Sequence, residues 1–287
     1  MSVQITTAHI QGYKQGVDLL VQQKGSRLRG AVRLEPGLTG KRVFFDQIGA
    51  TAVTRLTTRH ADTVLVDTPH ARRAVDPVDY VWADMIDEID KVRVLNDPTN
   101  AYSQNAAFAM GRAMDTEILA AAIGNAQTDE TGSTATPLGA GQAIAVGGTN
   151  LTVAKLRTAK RLLDAAENDP SDPRHIAINA LMLESLLGET ETTSSDFNTV
   201  KALVQGEINT FLGFQFHRTE LLTNDATPSR LAVAWRQSGV ALGVWKDTHA
   251  DIGPRRDKNN DIQVLYRATC GATRMEEVAV VTIACAE

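Results

Sequence analysis

The chain has 287 residues, 43% of them apolar and 22% charged, with a formal net charge of −5 and only two cysteines. That length and apolar content can supply a substantial core. The acidic balance offers no basic footprint for nucleic-acid phosphates, no apolar run reaches the roughly 18 residues that span a bilayer, and the N-terminus lacks the basic start and apolar stretch of a secretory signal.

A protein made and kept in a cytoplasm, with no membrane partner, is therefore expected. Cys270 and Cys285 have neither CxxC spacing nor a nearby histidine at ligand spacing and read as reduced structural thiols.

Residues 1–35 show no sustained helical or strand period and read as an arm that gains order by lying on something else. The stretch "GKRVFFDQIGATAVTRLTTRHADTVLVDT", Gly40 to Thr68, is rich in Thr and Val around the polar tip "TTRHAD" and predicts a long two-stranded hairpin. A lone ribbon of this kind is marginal in water, so a neighbour is expected to hold it. "GLTGKR" imitates the end of a phosphate loop, but Glu35 stands where a glycine is needed and Arg42 where a hydroxyl should hold magnesium; it reads as a turn.

From Asp79 the pattern predicts a helix, with Trp82, Met85, Ile86 and Ile89 on one stripe and Asp84, Asp87 and Glu88 on the opposite face. The carboxylates from Asp76 to Asp97 raise the question of a metal or acid/base site. They spread over a turn, a helix and a cap instead of converging, and Asp87 with Lys91 or Asp90 with Arg93 has the spacing of a salt-bridged, solvated or intersubunit face.

Asp97-Pro98 then starts a long helix with the row Met110, Met114, Ile118 and Ala122, stopped by Gly124 and Asn125. At 1.5 Å per residue it is roughly 39 Å long. Residues 128–152, rich in Gly and Thr, read as a connecting loop, and "GAGQAIAVGG" within them lacks the GxGxxG spacing of a pyrophosphate site. A second body begins near residue 150: an amphipathic helix "VAKLRTAKRLLDAAEND", a strand turning into a helix in "HIAINALML", and a helix then a strand in 197–222. "LAVAW" follows as a strand and "SGVALGVWKD" as a helix. The tail carries two β-rich runs around "GATRMEE", expected to pair as a hairpin and return to the long-helix body. The fold class is α+β.

No GxSxG, HExxH or SxxK motif is present and the six histidines are scattered, so no catalytic, cofactor-binding or metal-binding set is assigned. Arg55, Arg59, Arg72 and Arg73 lie on or beside the hairpin without interleaved aromatics for stacking on bases. Two readings stay open for them: ordinary solvation, or pairing with the carboxylates Asp84, Asp87 and Glu88 of a neighbouring copy.

The order of these elements, with the blocks "GKRVFFDQIG", "RRAVDPVDYVWADMIDEIDKVRVLNDP", "GRAMDTEILAAAIG", "LTVAKLRTAKRLLDAAE", "GEINTFLGFQFHRTELL" and "GATRMEEVAVVTI", resembles the Hong Kong 97-type major capsid protein of tailed bacteriophages over nearly the whole chain. The resemblance implies an N-terminal arm at 1–35, an extended E-loop hairpin at 36–76, and a peripheral domain from 77–149 that contains a long spine helix. It also implies an axial domain at 150–249 and peripheral C-terminal strands at 250–287.

It further implies self-assembly as pentamers and hexamers into an icosahedral head that encloses double-stranded DNA and touches it non-specifically. The expected place is the virion capsid, assembled in the bacterial host cytoplasm, with a portal and a decoration protein as partners. No long charged N-terminal scaffold segment is present, so a separate scaffolding protein is expected. Trp235 and Arg236 stand where a Phe-His pair fits the pattern, and no catalytic partner near Lys41 supports carrying over a subunit cross-link. Two other readings are an encapsulin-like nanocompartment shell and, from a different class, a metal-dependent hydrolase built on the Asp84–Asp90 carboxylates.

Overall fold

The row Met110, Met114, Ile118 and Ala122 forms the buried stripe of a 25-residue helix, α1 (Thr99–Ile123), and lies in the hydrophobic core. The structure is a computed structural model describing residues 22–59, 62–86, 99–166, 169, 171–189, 210–226, 229–258 and 260–287. Its strands are β1 (Arg33–Pro36), β2 (Val43–Ile48), β3 (His70–Val75), β4 (Val78–Ile86), β5 (Ala126–Thr128), β6 (Thr134–Thr136) and β7 (Ala143–Ile144). After these come β8 (Arg174–Ile178), β9 (Thr210–Phe211), β10 (Phe214–Arg218), β11 (Asn224–Ala226), β12 (Ser229–Arg236), β13 (Val240–Arg255), β14 (Asp261–Arg274) and β15 (Val280–Ala286). The other helices are α2 (Val153–Ala165) and α3 (Ala180–Gly188).

The strands form three sheets. One runs β1-β13-β14-β4, a second runs β7-β15-β12-β8-β10-β9 with β11 beside β12, and a third runs β2-β3-β5-β6. In the second sheet the register sets Phe216, Ile176, Ala234 and Val281 side by side in one row, and Gln215, His175, Trp235 and Val280 in the next. Adjacent rows point to opposite faces. The first row joins the buried cluster shared with Leu156 and Leu163 of α2 and Met182 and Leu186 of α3. The second faces the N-terminal segment, because Trp235 Nε1 donates to Ala31 O at 2.8 Å.

Both helices of this body start on side-chain caps. Thr152 Oγ1 accepts from Lys155 N at 3.2 Å, and Asn179 Oδ1 accepts from Met182 N at 2.8 Å. The Lys155 ammonium is buried and donates to Val146 O, Thr149 O and Ala284 O at 2.7–2.9 Å, so all three of its protons are used. Cys270 and Cys285 are free and buried, and burial pushes both thiols up to about 11.

The arm's described part is held on α1 by one buried carboxylate. Asp115 accepts from Gln23 Nε2 (2.5 Å), Ser26 Oγ (2.5 Å), Arg27 N (2.9 Å) and Leu28 N (3.1 Å). One turn earlier, Gly111 lets the two backbones touch: a Cβ there would lie 2.4 Å from Gly25 C and Ser26 N. Arg112 adds a bond to Gln22 Oε1 at 2.8 Å.

Five expectations are corrected. Residues 79–86 form strand β4, not an acidic helix. Tyr80 and Trp82 turn toward α1, where Tyr80 donates to Glu117 at 2.9 Å, while Val81, Ala83 and Met85 alternate outward. Residues 87–98, with the expected helix start at Asp97-Pro98, lie outside the described residues, as does the helix expected within 197–209. The loop at 128–152 contains β6 and β7, and the latter pairs in parallel with β15. "SGVALGVWKD" is not a helix: after a short 3-10 turn at Gln237–Gly239 it enters β13, flanked by β1 and β14.

The two tail strands do not pair with each other. β14 pairs with β13 and β4, and β15 joins β12 and β7 in the second sheet, so the boundary drawn at 250 falls inside β13. The hairpin ladder is also shorter than expected, with β2 and β3 pairing from Val43–Val75 to Ile48–His70.

Replacing Asp115 with Ala strands four donors. The expected cost is about 3 kcal/mol, read as a lower melting temperature, together with faster hydrogen exchange at residues 23–28. Gly111→Ala is expected to expose the same segment while leaving exchange within the second sheet unchanged.

Candidate assembly surface

The hairpin divides into a fixed base and an uncovered tip. At the base, register places Arg42 beside Asp76 just outside the first ladder pair, and the guanidinium grips the carboxylate through Nε and Nη2, both at 2.6 Å. Arg42 Nη1 also donates to Thr131 O at 2.9 Å. This bond to Arg42 holds the Asp76 carboxyl below the usual carboxylate range.

Further along, Arg72 and Asp46 are direct cross-strand partners at 2.6 Å, and the Arg72 guanidinium sits 5.0 Å from the centre of the Phe44 ring. On the opposite face Arg73 is buried. Its Nε donates to Met275 O at 2.8 Å, its Nη2 reaches both oxygens of Glu277 at 2.8 and 2.9 Å, and Gln47 donates to the same Met275 carbonyl at 2.9 Å.

Past the bond from Gly49 N to Pro69 O at 2.9 Å, residues 51–59 and 62–69 carry no strand ladder. Here Val53 is 99% exposed, Leu65 91%, Leu56 70% and Val64 63%. Scattered single apolar residues on a surface need no explanation, but four on one projecting ribbon form a surface that a partner would cover.

The expected contact residues separate accordingly. Arg72 and Arg73 have partners within their own chain, because the register and the turn at 275–277 bring Asp46 and Glu277 to them. Arg55 and Arg59 are exposed on the tip, with no ion pair to a described residue. Asp84 is exposed on β4, where its Oδ1 accepts from Met85 N at 2.8 Å. Asp87 and Glu88 lie outside the described residues. With 79–86 extended, the helical face on which a hydrolase site would rest does not exist there, and the described residues contain no group of three or more His, Cys, Asp or Glu able to hold a metal.

Arg42, Asp46, Asp76 and Glu277 escaped the sequence reading. A signal existed for the first three, since any register that pairs Val43 with Val75 also sets Arg42 by Asp76 and Asp46 by Arg72. Glu277 has no such local signal.

A long helix carrying sheets on its flanks, with a hairpin projecting from the body, is the architecture of the Hong Kong 97-type capsid subunit. The chain is similar in structure to the capsid of the cyanophage P-SCSP1u, at 15% identity with a TM-score of 0.76 over 99% of this chain and 94% of that one. It is also similar to a chain of Mycobacterium phage Che8, at 17% identity and 0.72 over 96% of each. For the capsid of Ralstonia phage GP4 the values are 11% and 0.75, over 96% and 95%. No curated protein sequence matches it. The family model for phage capsid protein matches residues 5–287, and the chain belongs to that family. It is a major capsid protein, a structural subunit of the multimeric shell that forms a phage head.

Arg73→Met is expected to loosen the base of the hairpin. The Glu277 carboxylate it leaves is partly exposed, so the expected loss is about 2 kcal/mol, below the figure for a fully buried pair. Hydrogen exchange at 43–48 and 70–75 should rise with it, whereas Arg55→Ala should move neither stability nor exchange in the isolated chain.

Proposed function

We propose that this subunit assembles as pentamers and hexamers into the icosahedral head of a tailed phage, around double-stranded DNA, and that its projecting hairpin is an E-loop laid on a neighbouring copy. The observation that carries this reading is the contrast between a base fixed by three arginines, Arg42, Arg72 and Arg73, and a tip whose large apolar side chains are uncovered. Fully covering one such side chain contributes about 1.5–3 kcal/mol, so a second copy beneath the ribbon would supply the stability that it cannot supply itself.

In this arrangement α1 and the β1-β13-β14-β4 sheet belong to the peripheral domain, and the seven-stranded sheet with α2 and α3 to the axial domain. Arg55 and Arg59 reach carboxylates of the neighbour, with Asp84, Asp87 and Glu88 as the candidates. A separate scaffolding protein, a portal and a decoration protein complete the particle, which is put together in the host cytoplasm. The role is structural and involves no catalysis. A net charge of −5 supports contact with packaged DNA that is weak and non-specific. The match to a phage family favours this reading over a storage shell.

Size-exclusion chromatography with light scattering, and negative-stain images of every peak, test this reading. The wild-type chain is expected to give rings of five or six, or closed shells. The double variant Val53→Asp/Leu65→Asp should keep its melting temperature and stay monomeric. Shells formed equally well by the variant would remove the tip from the interface. Arg55→Glu/Arg59→Glu should weaken assembly most at low salt, where charge effects are least screened.

A further inference from the structure

Residues 22–32 lie between α1 and the seven-stranded sheet, tied to both. Asp115 and Arg112 hold the helix side. On the sheet side the ties are Trp235 Nε1 to Ala31 O at 2.8 Å, Gln237 Nε2 to Gly30 O at 3.2 Å, and Arg27 Nη1 to Arg218 O. Trp235 therefore acts as the sheet's central hold on this strap, and its own position depends on what it packs against.

It packs against two imidazoles. His175 is directly opposite Trp235 in the ladder and His217 lies on the next strand, with ring centres 6.1 and 6.3 Å from that of Trp235. The two imidazoles are 5.2 Å apart, with His175 Nδ1 and His217 Nε2 sharing one proton at 3.0 Å. His175 is 4% exposed, and its Nε2 has no hydrogen-bond partner among the described residues.

The charged groups around the pair are already engaged. On α1, Asp115 receives the four strap donors. On the loop before β8, Asp172 accepts from Ser238 Oγ and lies 4.0 Å from Arg236, the neighbour of Trp235. Arg174, beside His175 in sequence, pairs with Asp164.

A proton gained by the pair would sit in a buried place, at a desolvation cost that outweighs the attraction of Asp115 and Asp172. Attraction to the Trp235 ring returns only part of that cost. Burial lowers both histidines, His175 from 6.5 to about 4. Between those values the unfolded chain binds more protons than the folded one. Their neutral packing therefore stabilises fully above pH 6.5 and is lost as the pH falls toward about 4.

We propose that His175, His217 and Trp235 form an acid-released latch on the strap. A proton on the imidazole pair displaces Trp235 from Ala31 and frees residues 28–32 from the sheet, while Asp115 still holds residues 23–28 to the helix.

Hydrogen exchange of the full-length chain, read by mass spectrometry and corrected for intrinsic rates, tests the latch between pH 7.5 and pH 4.5. Protection of residues 28–32 is expected to fall about tenfold or more on acidification, with protection in α1 retained. In His175→Gln/His217→Gln it should be independent of pH. Should that variant not fold, Trp235→Phe serves instead: its strap should exchange at pH 7.5 as the wild-type strap does in acid. Flat wild-type protection, an equal acid response in the histidine variant, loss across the whole chain at once, or wild-type protection in Trp235→Phe would each overturn the latch.

Discussion

Arg274 is fully buried at the point where three parts of the molecule meet. Its guanidinium donates to Ala122 O and Gly124 O at the end of α1 and to Thr136 O in β6, and it lies 4.0 Å from Glu277. Glu277 in turn holds Arg73 of the hairpin. A buried cation is costly unless its protons are matched; here carbonyls at the C-terminal end of the helix match Nη1 and the β6 carbonyl matches Nη2, while Nε has no partner among the described residues. One side chain thus ties the β1-β13-β14-β4 sheet to the helix end and to the hairpin sheet. Burial lowers the Arg274 pKa, as expected for a cation whose principal partners are dipoles.

The other end of the buried stripe is organised with the opposite sign. Asp115 is an anion matched by donors, two of them backbone N–H groups of the strap, and Gly111 makes room for the approach. Lys155 repeats the Arg274 arrangement at the edge of the second sheet. In each case one charge gathers segments distant in sequence, because a charge takes several partners at once and fixes their directions.

Legibility in the sequence follows from how local each signal is. Helix α1 was readable because its stripe repeats within one segment, and the Thr152 and Asn179 caps sit beside the elements they start. The run 240–244 was misread because β13 is buried on both faces there, so no alternation marks it as a strand. The run 79–86 carries apolar groups at spacings that fit either period, and only pairing with β14 decides for the strand. Arg55, Arg59, Arg72 and Arg73 look alike in the sequence, and Arg73 was not legible as a buried cation, since Glu277 lies about two hundred residues away in sequence. A separation of 87 to 92 residues likewise hid the partners of Asp115.

The division between base and tip also bears on what a shell subunit must do. Hydrogen-bonded ion pairs at the base are directional, and they fix the angle at which the ribbon leaves the body. Apolar burial at the tip is not directional, and its contribution depends on covered area more than on angle. A ribbon laid on neighbours in both five-fold and six-fold rings would meet them at different inclinations. Directional bonds at the tip would then favour one ring over the other, whereas Val53, Leu56, Val64 and Leu65 can remain covered in either. In the proposed arrangement, rigidity at the base and apolar adhesion at the tip would together let a single sequence serve two environments.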